Sequence, residues 1–394
     1  MLLSKRVQSI KPSPTLAISA KAKSMKDQGI NVINFGAGEP DFDTPSNIKE
    51  AAKRSIDAGF TKYCPVSGTP DLKKAVVEKF RRDNNVEYEL SEVIVSVGAK
   101  HSLYNLFMAV LDPKDEIIVP APYWVSYPDM AMLCGAKVKV IKTKESNNFC
   151  MTPEQLKAAI TKRTKAVVIN SPSNPTGCVY SRENLLALAN ICVDNNILII
   201  ADEIYEKLVY DDLRFTSVAS LSPAIKQKTV VINGVSKSHS MTGWRIGYAA
   251  GPKEIINAME TIQSQSTSNA TSISMKAATE ALNGPQEEVE RMRQEFEKRR
   301  NFIVDRLNSI KGIKCLKPQG AFYVFPSVKK LLGKVYGDQM VTTSDELSNY
   351  LLEKAHVAVV AGEGFGAPGY VRLSYATSME VIKEGLDRLE QALK

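Results

Sequence analysis

Between about residues 90 and 250, short apolar runs recur at intervals long enough to hold a helix. The runs are Val93–Val97, Glu116–Val119, Lys137–Ile141, Ala166–Asn170, Ile197–Ala201, Thr229–Asn233 and Ile246–Ala250. Several are apolar at every position, as in strands covered on both faces. The pattern therefore predicts an α/β domain built around a mostly parallel, seven-stranded sheet. The segments between the runs carry helix starts. Thr152-Pro153-Glu154-Gln155 is a capping box with proline at the first helical position, and Ser181 precedes the amphipathic RENLLALANICVDNN. Functional side chains in such a sheet are expected at the carboxyl ends of its strands.

After about residue 285 the pattern changes. QEEVERMRQEFEKRRNFIVDRLNSI predicts a long charged helix, and Ala321–Phe325, Val357–Val360 and Tyr370–Tyr375 read as hairpin-like strands. That combination predicts a smaller α+β domain. The expected organisation is an arm with part of the smaller domain over 1–45, a large domain over 46–285 and a small C-terminal domain over 286–394.

Composition narrows the classes. The chain has 394 residues, and Lys plus Arg outnumber Asp plus Glu by 51 to 43. The surplus is spread along the chain with only short basic runs such as Lys162–Lys165, the pattern of solvated helix faces, so no nucleic-acid partner is expected. The six cysteines are far apart, form no CxxC pair and follow no secretory leader in MLLSKRVQSIKPS. Reduced thiols in a cytoplasmic protein are expected. No apolar run is long enough to suggest a membrane span. The three histidines are scattered, so no histidine-based metal site is expected.

Five stretches carry candidate chemistry, each with an ordinary alternative. SPSNPTG (171–177) follows AVVIN; its prolines and Gly177 suit a connector, but they also hold Asn174 above a strand end. In ILIIADEIYE, Asp202 either caps the next turn or is a buried carboxylate that needs a cationic partner, and Tyr205 lies one turn on. SVGAKHSLYNLF runs from a strand through Gly98, Ala99 and Lys100 into a helix, which is either a plain βα turn or an anion cradle of free N–H groups. GEGFGA (362–367) lacks the spacing of a dinucleotide loop and reads as the turn that delivers Arg372 into the strand VRLSYA.

The fifth stretch, SKSHSMTGWR (236–245), is the most informative. Lys237 follows the strand TVVIN among Ser236, Ser238 and Ser240, with Gly243 and Arg245 close behind. A lysine amine becomes nucleophilic when burial or a neighbouring cation lowers its pKa, and serine with arginine makes a phosphate clamp. Together with Asp202 and Asn174 at strand ends, this set suggests pyridoxal phosphate held as a Schiff base.

SPSNPTG, ADEIYE, SKSHSMTGWRIGYAAGP, PQGAFYVFP and VRLSYA, in this order and spacing, resemble the class I aminotransferases of the fold-type I pyridoxal-phosphate enzymes. The likeness is greatest to the bacterial aspartate and aspartate/prephenate subgroup and runs over essentially the whole chain. The resemblance implies that Lys237 carries the cofactor and moves the substrate proton, and that Asp202 pairs with the pyridine nitrogen. It implies that Tyr205 and Asn174 bond the phenolic oxygen, and that Gly98, Ala99, Ser236 and Arg245 hold the phosphate. Trp124 would stack on the ring. Tyr63 would reach the phosphate of a neighbouring subunit, which makes a homodimer necessary. For substrate it implies Arg372 on the α-carboxylate beside Gly38, Asn174 and Trp124, Lys100 on the distal carboxylate, and Lys11 as a second lysine for prephenate-type substrates. The expected activity is a transamination between aspartate/oxaloacetate and glutamate/2-oxoglutarate, with prephenate as a further acceptor. An aminotransferase for aromatic or other amino acids, or a C–S lyase, are alternatives on the same fold.

Overall fold

The seven apolar runs form one sheet in the computed structural model, which describes residues 2–10 and 12–394. In chain order the strands are β1 (Val93–Ser96), β2 (Glu116–Ala121), β3 (Lys137–Lys142), β4 (Thr164–Asn170), β5 (Leu198–Asp202), β6 (Thr229–Gly234) and β7 (Gly247–Ala250). Their order across the sheet is β1-β7-β6-β5-β4-β2-β3, with β7 antiparallel to both neighbours and the other pairs parallel.

Side chains along β1, β4, β5 and β6 alternate between two hydrophobic layers. Val93, Val95, Val167, Ile169, Ile199 and Val231 face one layer, whereas Ile94, Val168, Ile200, Val230 and Ile232 face the other. This period of two with both faces buried is why the runs are apolar throughout. Each such aliphatic side chain contributes about 1.5–3 kcal/mol when removed from water. The edge strand β3, KVKVIK, leaves Lys137 and Lys142 exposed and Lys139 half-buried, and charge on an open edge discourages pairing with other chains. The two helix starts legible in the sequence are present. Thr152 Oγ1 accepts the Gln155 N–H at 3.3 Å while Gln155 Oε1 accepts the Thr152 N–H at 3.0 Å, and Ser181 caps Arg182–Asp194.

A separate hydrophobic cluster is built by residues of the long helix Glu287–Ser309, including Phe296, Ile303 and Leu307, together with Leu347, Leu351, Leu373 and Leu386. A three-stranded antiparallel sheet lies against it: β8 (Tyr323–Val324), β9 (Val360–Ala361) and β10 (Val371–Ser374), in the order β9-β10-β8. The run Val357–Val360, expected as one strand, is divided. Val357–Ala358 pairs in parallel with Ile33–Asn34 near the N-terminus, and only the following residues join β10. Ile33 and Phe35 thereby enter this second core, as do Ile204 and Tyr205 from the turn after β5. The two cores meet just beyond the carboxyl ends of β4, β5 and β6. Among the described residues no helix is long and apolar enough to cross a membrane.

Candidate active site

A cavity of about 490 Å³ opens where the two cores meet. Four of its lining side chains are basic (Lys100, Lys237, Arg245, Arg372) and two are acidic (Glu39, Asp202). That balance suits a ligand, or a pair of ligands, carrying negative charge.

The floor is set by strand register. Asn170 and Asp202 stand opposite each other at the ends of β4 and β5. Asn170 Nδ2 donates to the Asp202 carbonyl at 3.0 Å, and Asn170 Oδ1 accepts the Asn174 N–H at 2.9 Å, which seats the SPSNPTG loop. Gly177 closes that loop at φ 66°, and a Cβ there would lie 2.4 Å from Pro318 Cβ, so glycine is needed both for the turn and for the approach of the second unit. Asp202 is buried. Its Oδ2 accepts the Tyr127 hydroxyl at 2.5 Å and its Oδ1 accepts the Ile204 N–H at 3.3 Å. Burial raises the carboxyl to about 6, against the Tyr127 bond, the Ile204 N–H and the positive charge of Lys237, all of which favour the ionised form.

Lys237 lies beyond β6, and its Nζ donates to the Gly38 carbonyl at 2.5 Å. Burial lowers its amine to about 8; Glu39 opposes this, and Arg372 and Arg245 add to it. The segment carrying it is tied to the N-terminal strap, with Thr242 Oγ1 donating to Glu39 at 2.8 Å and Thr44 Oγ1 to the Ser240 carbonyl at 2.7 Å.

The anion cradle is a matter of close approach. Gly98 caps the helix Ala99–Val110 at φ 83°, and a Cβ there would sit 2.4 Å from Arg245 Nη2. A Cβ on Gly247 would sit 2.1 Å from the Ala99 nitrogen. Two glycines thus bring a helix N-terminus, with its uncommitted first N–H groups, against a guanidinium and beside Ser236. Lys100 extends from the same first turn, its Nζ 4.9 Å from the centroid of Trp124, and burial with the charge of Arg245 lowers its amine.

Arg372 comes from β10. It is 2 % exposed and pairs with no carboxylate among the described residues. Its Nη1 donates to Asn174 Oδ1 at 2.9 Å and its Nη2 to the Gly36 carbonyl at 2.8 Å, while its Nε has no partner. The guanidinium is sandwiched between the rings of Tyr323 (4.5 Å) and Phe365 (5.2 Å). A buried cation held by neutral groups alone is a site for an anionic ligand.

The family description "Aminotransferase class I and II" matches residues 30–389. The chain belongs to this aminotransferase family. An aspartate aminotransferase of Bacillus sp. (strain YM-2) is 54% identical over 393 residues, covering 100% of this chain and 99% of that one. An aspartate/prephenate aminotransferase of Cereibacter sphaeroides is 50% identical over 390 residues, covering 98% of each. Among solved structures, the aspartate aminotransferase of Rhizobium meliloti superposes with a TM-score of 0.96 at 47% identity, covering 100% of this chain and 99% of that one. That of Thermus thermophilus, solved with maleate, gives 0.93 at 44% identity with both chains fully covered. The chain is accordingly a transaminase.

Of the residues singled out in this aminotransferase, Gly38, Ala99, Lys100, Trp124, Asn174, Asp202, Tyr205, Ser236, Lys237, Arg245 and Arg372 line the one cavity, and Gly98 backs it. Tyr63 lies apart from it and is 92% exposed. Lys11 falls outside the described residues. Sequence reasoning missed Tyr127 and Tyr323, whose hydroxyls meet Asp202 and Tyr205, and it missed Glu39. Tyr127 had a local signal, since it lies one helical turn from Trp124 and packs edge-on against it at 5.2 Å.

Proposed function

We propose that this transaminase is an aspartate aminotransferase, moving the amino group between L-aspartate/oxaloacetate and L-glutamate/2-oxoglutarate with pyridoxal 5′-phosphate as cofactor. The cofactor, when bound, supplies a carbonyl that accepts the amino group and a ring that takes up the electrons left at substrate Cα. The observation that carries the reading is the pairing of two cations, Arg372 and Lys100, in one cavity with no carboxylate partner among the described residues. A dicarboxylate supplies a partner for each.

The residues present suit the cofactor. Ala99, Ser236 and Arg245 would hold its phosphate at the place that Gly98 and Gly247 keep clear. Asp202 would face the ring nitrogen, Asn174 and Tyr205 the phenolic oxygen, and Trp124 the ring face. Asp202 must be ionised to hold a proton on that nitrogen, and the Tyr127 hydroxyl and Ile204 N–H favour that state. Lys237 would be the point of covalent attachment. Depressed to about 8, its amine is neutral in a usable fraction near neutral pH, so Nζ can take the proton from substrate Cα and give it back. Arg372 orients the α-carboxylate, its position set by Asn174, Gly36 and two aromatic faces. Lys100 selects a second carboxylate. Prephenate, also a 2-oxo acid with a second carboxylate, belongs to the same acceptor class.

We further propose that the active unit is a homodimer, in which a partner subunit covers the exposed Tyr63 and receives its hydroxyl at the phosphate. The six free cysteines support a reducing compartment such as the cytoplasm.

The test is a panel of amino donors, aspartate, glutamate, alanine and phenylalanine, against 2-oxoglutarate and prephenate. Oxaloacetate formed from aspartate with the highest kcat/KM of the non-glutamate donors is the expected result. Turnover of alanine or phenylalanine above aspartate, or pyruvate released from a cysteine conjugate without transamination, would replace the reading with one of its alternatives.

A further inference from the structure

Tyr205 and Tyr323 reach the cavity from opposite units. Tyr205 stands in the turn after β5, while Tyr323 lies on β8, whose register places it opposite Ser374 on the strand that carries Arg372. Their hydroxyl oxygens are 2.9 Å apart, and both side chains are buried. Two hydroxyls that face each other share one hydrogen, so one must donate and the other accept. Which one donates decides whether the Tyr205 hydrogen is available to anything in the cavity.

The surroundings point one way. The Arg372 guanidinium lies 4.5 Å from the centroid of the Tyr323 ring. A cation over a phenol draws density from it and makes its hydroxyl the better donor. The two rings meet edge-on at 5.8 Å, and Phe322 meets Tyr205 edge-on at 5.4 Å, so neither ring is free to turn the hydroxyls apart. Gly38 gives the Tyr323 hydroxyl its room, because a Cβ there would lie 3.2 Å from that oxygen.

We infer that Tyr323 is a positioning residue that donates to Tyr205 and seats Arg372, coupling the grip on the substrate α-carboxylate to the Tyr205 hydroxyl. This rests on the reading above that Tyr205 serves the phenolic oxygen of the cofactor. With Tyr323 donating, the Tyr205 hydrogen is directed into the cavity and is polarised for donation there. Because the bond joins the two units, any displacement of β10 relative to the turn after β5 alters both functions together.

The test uses the loaded enzyme and Tyr323→Phe, Tyr205→Phe and the double variant, with two readouts besides turnover. These are the pH midpoint of the visible absorption band and the affinity for maleate. Tyr323→Phe is expected to raise the midpoint by about half a pH unit when Tyr205 is present, a weakened hydrogen bond's worth, and to leave it unmoved in the Tyr205→Phe background. Because the ring stays under Arg372, its maleate Kd is expected to change by less than about twofold, whereas Tyr323→Leu weakens maleate by roughly tenfold. An equal shift in both backgrounds, or no shift with Tyr205 present while Tyr205→Phe itself shifts, overturns the coupling. A Tyr205→Phe enzyme whose midpoint is unchanged instead overturns the role of Tyr205, and the inference for Tyr323 falls with it.

Discussion

Arg372 Nη1 donates to Asn174 Oδ1 at 2.9 Å, and this bond joins a strand of the second unit to a loop at the carboxyl end of β4. Together with the Nη2 bond to the Gly36 carbonyl at 2.8 Å, it fixes the guanidinium in the cavity wall. Arg372→Lys keeps the charge but loses the planar fork. With charge-assisted bonds worth about 1.5–3 kcal/mol, kcat/KM for aspartate is expected to fall by roughly 10- to 100-fold in steady-state assays. An unchanged value would remove Arg372 from the α-carboxylate.

Lys100 discriminates only if the substrate has a second carboxylate. In Lys100→Ser, kcat/KM for aspartate is expected to drop by at least about tenfold, with alanine altered by less than about threefold. Equal losses for both donors would mean that Lys100 acts through general packing against Trp124.

Gly98 is where backbone and cradle depend on each other. Gly98→Ala puts a Cβ 2.4 Å from Arg245 Nη2 at a backbone φ of 83°. Stability of the cofactor-free protein is expected to fall by about 1–3 kcal/mol, and cofactor affinity by an order of magnitude or more as Arg245 is displaced. Thermal unfolding with and without pyridoxal phosphate separates the two effects.

How much of this site was legible in the sequence follows from which partners are local. Lys237, Ser236 and Arg245 lie in one segment after an apolar strand, and Asp202 ends another, so residue type and strand ends sufficed to suggest their chemistry. Trp124 is placed by the family likeness alone. Tyr127 and Tyr323 meet partners 75 and 118 residues away; Tyr127 is signalled locally only by its spacing from Trp124, and nothing near Tyr323 in the chain announces its contact. The seven-stranded sheet was legible because both faces of its central strands are buried. The division of Val357–Val360 was not, because it depends on pairing with Ile33–Asn34 from the other end of the chain.

Glu203, next to Asp202, gives the clearest pH signature. Its Oε1 accepts the Ser217 hydroxyl and the Val218 N–H, while its buried Oε2 has no partner. Burial pushes the carboxyl up to about 8; the Val218 N–H opposes this and the charge of Glu206 adds to it. A folded-state pKa above the unfolded one means that the native state binds the extra proton. The stabilisation is therefore complete at low pH and is lost as pH rises from the ordinary glutamate range through about 8. Glu203→Gln should gain stability relative to the parent across that window, read as a denaturation midpoint difference that grows from pH 5 to pH 8. A difference independent of pH would show that Glu203 is ionised in the native protein.

The most direct measurement is hydride trapping of the loaded enzyme with borohydride, followed by peptide mass mapping. The expected result is one pyridoxyl-modified peptide, carrying the label on Lys237 and losing it when aspartate is added before the reductant. Label on Lys100, or retention of the Lys237 label in the presence of aspartate, would contradict the assignment of Lys237 as the lysine that holds the cofactor and yields to substrate.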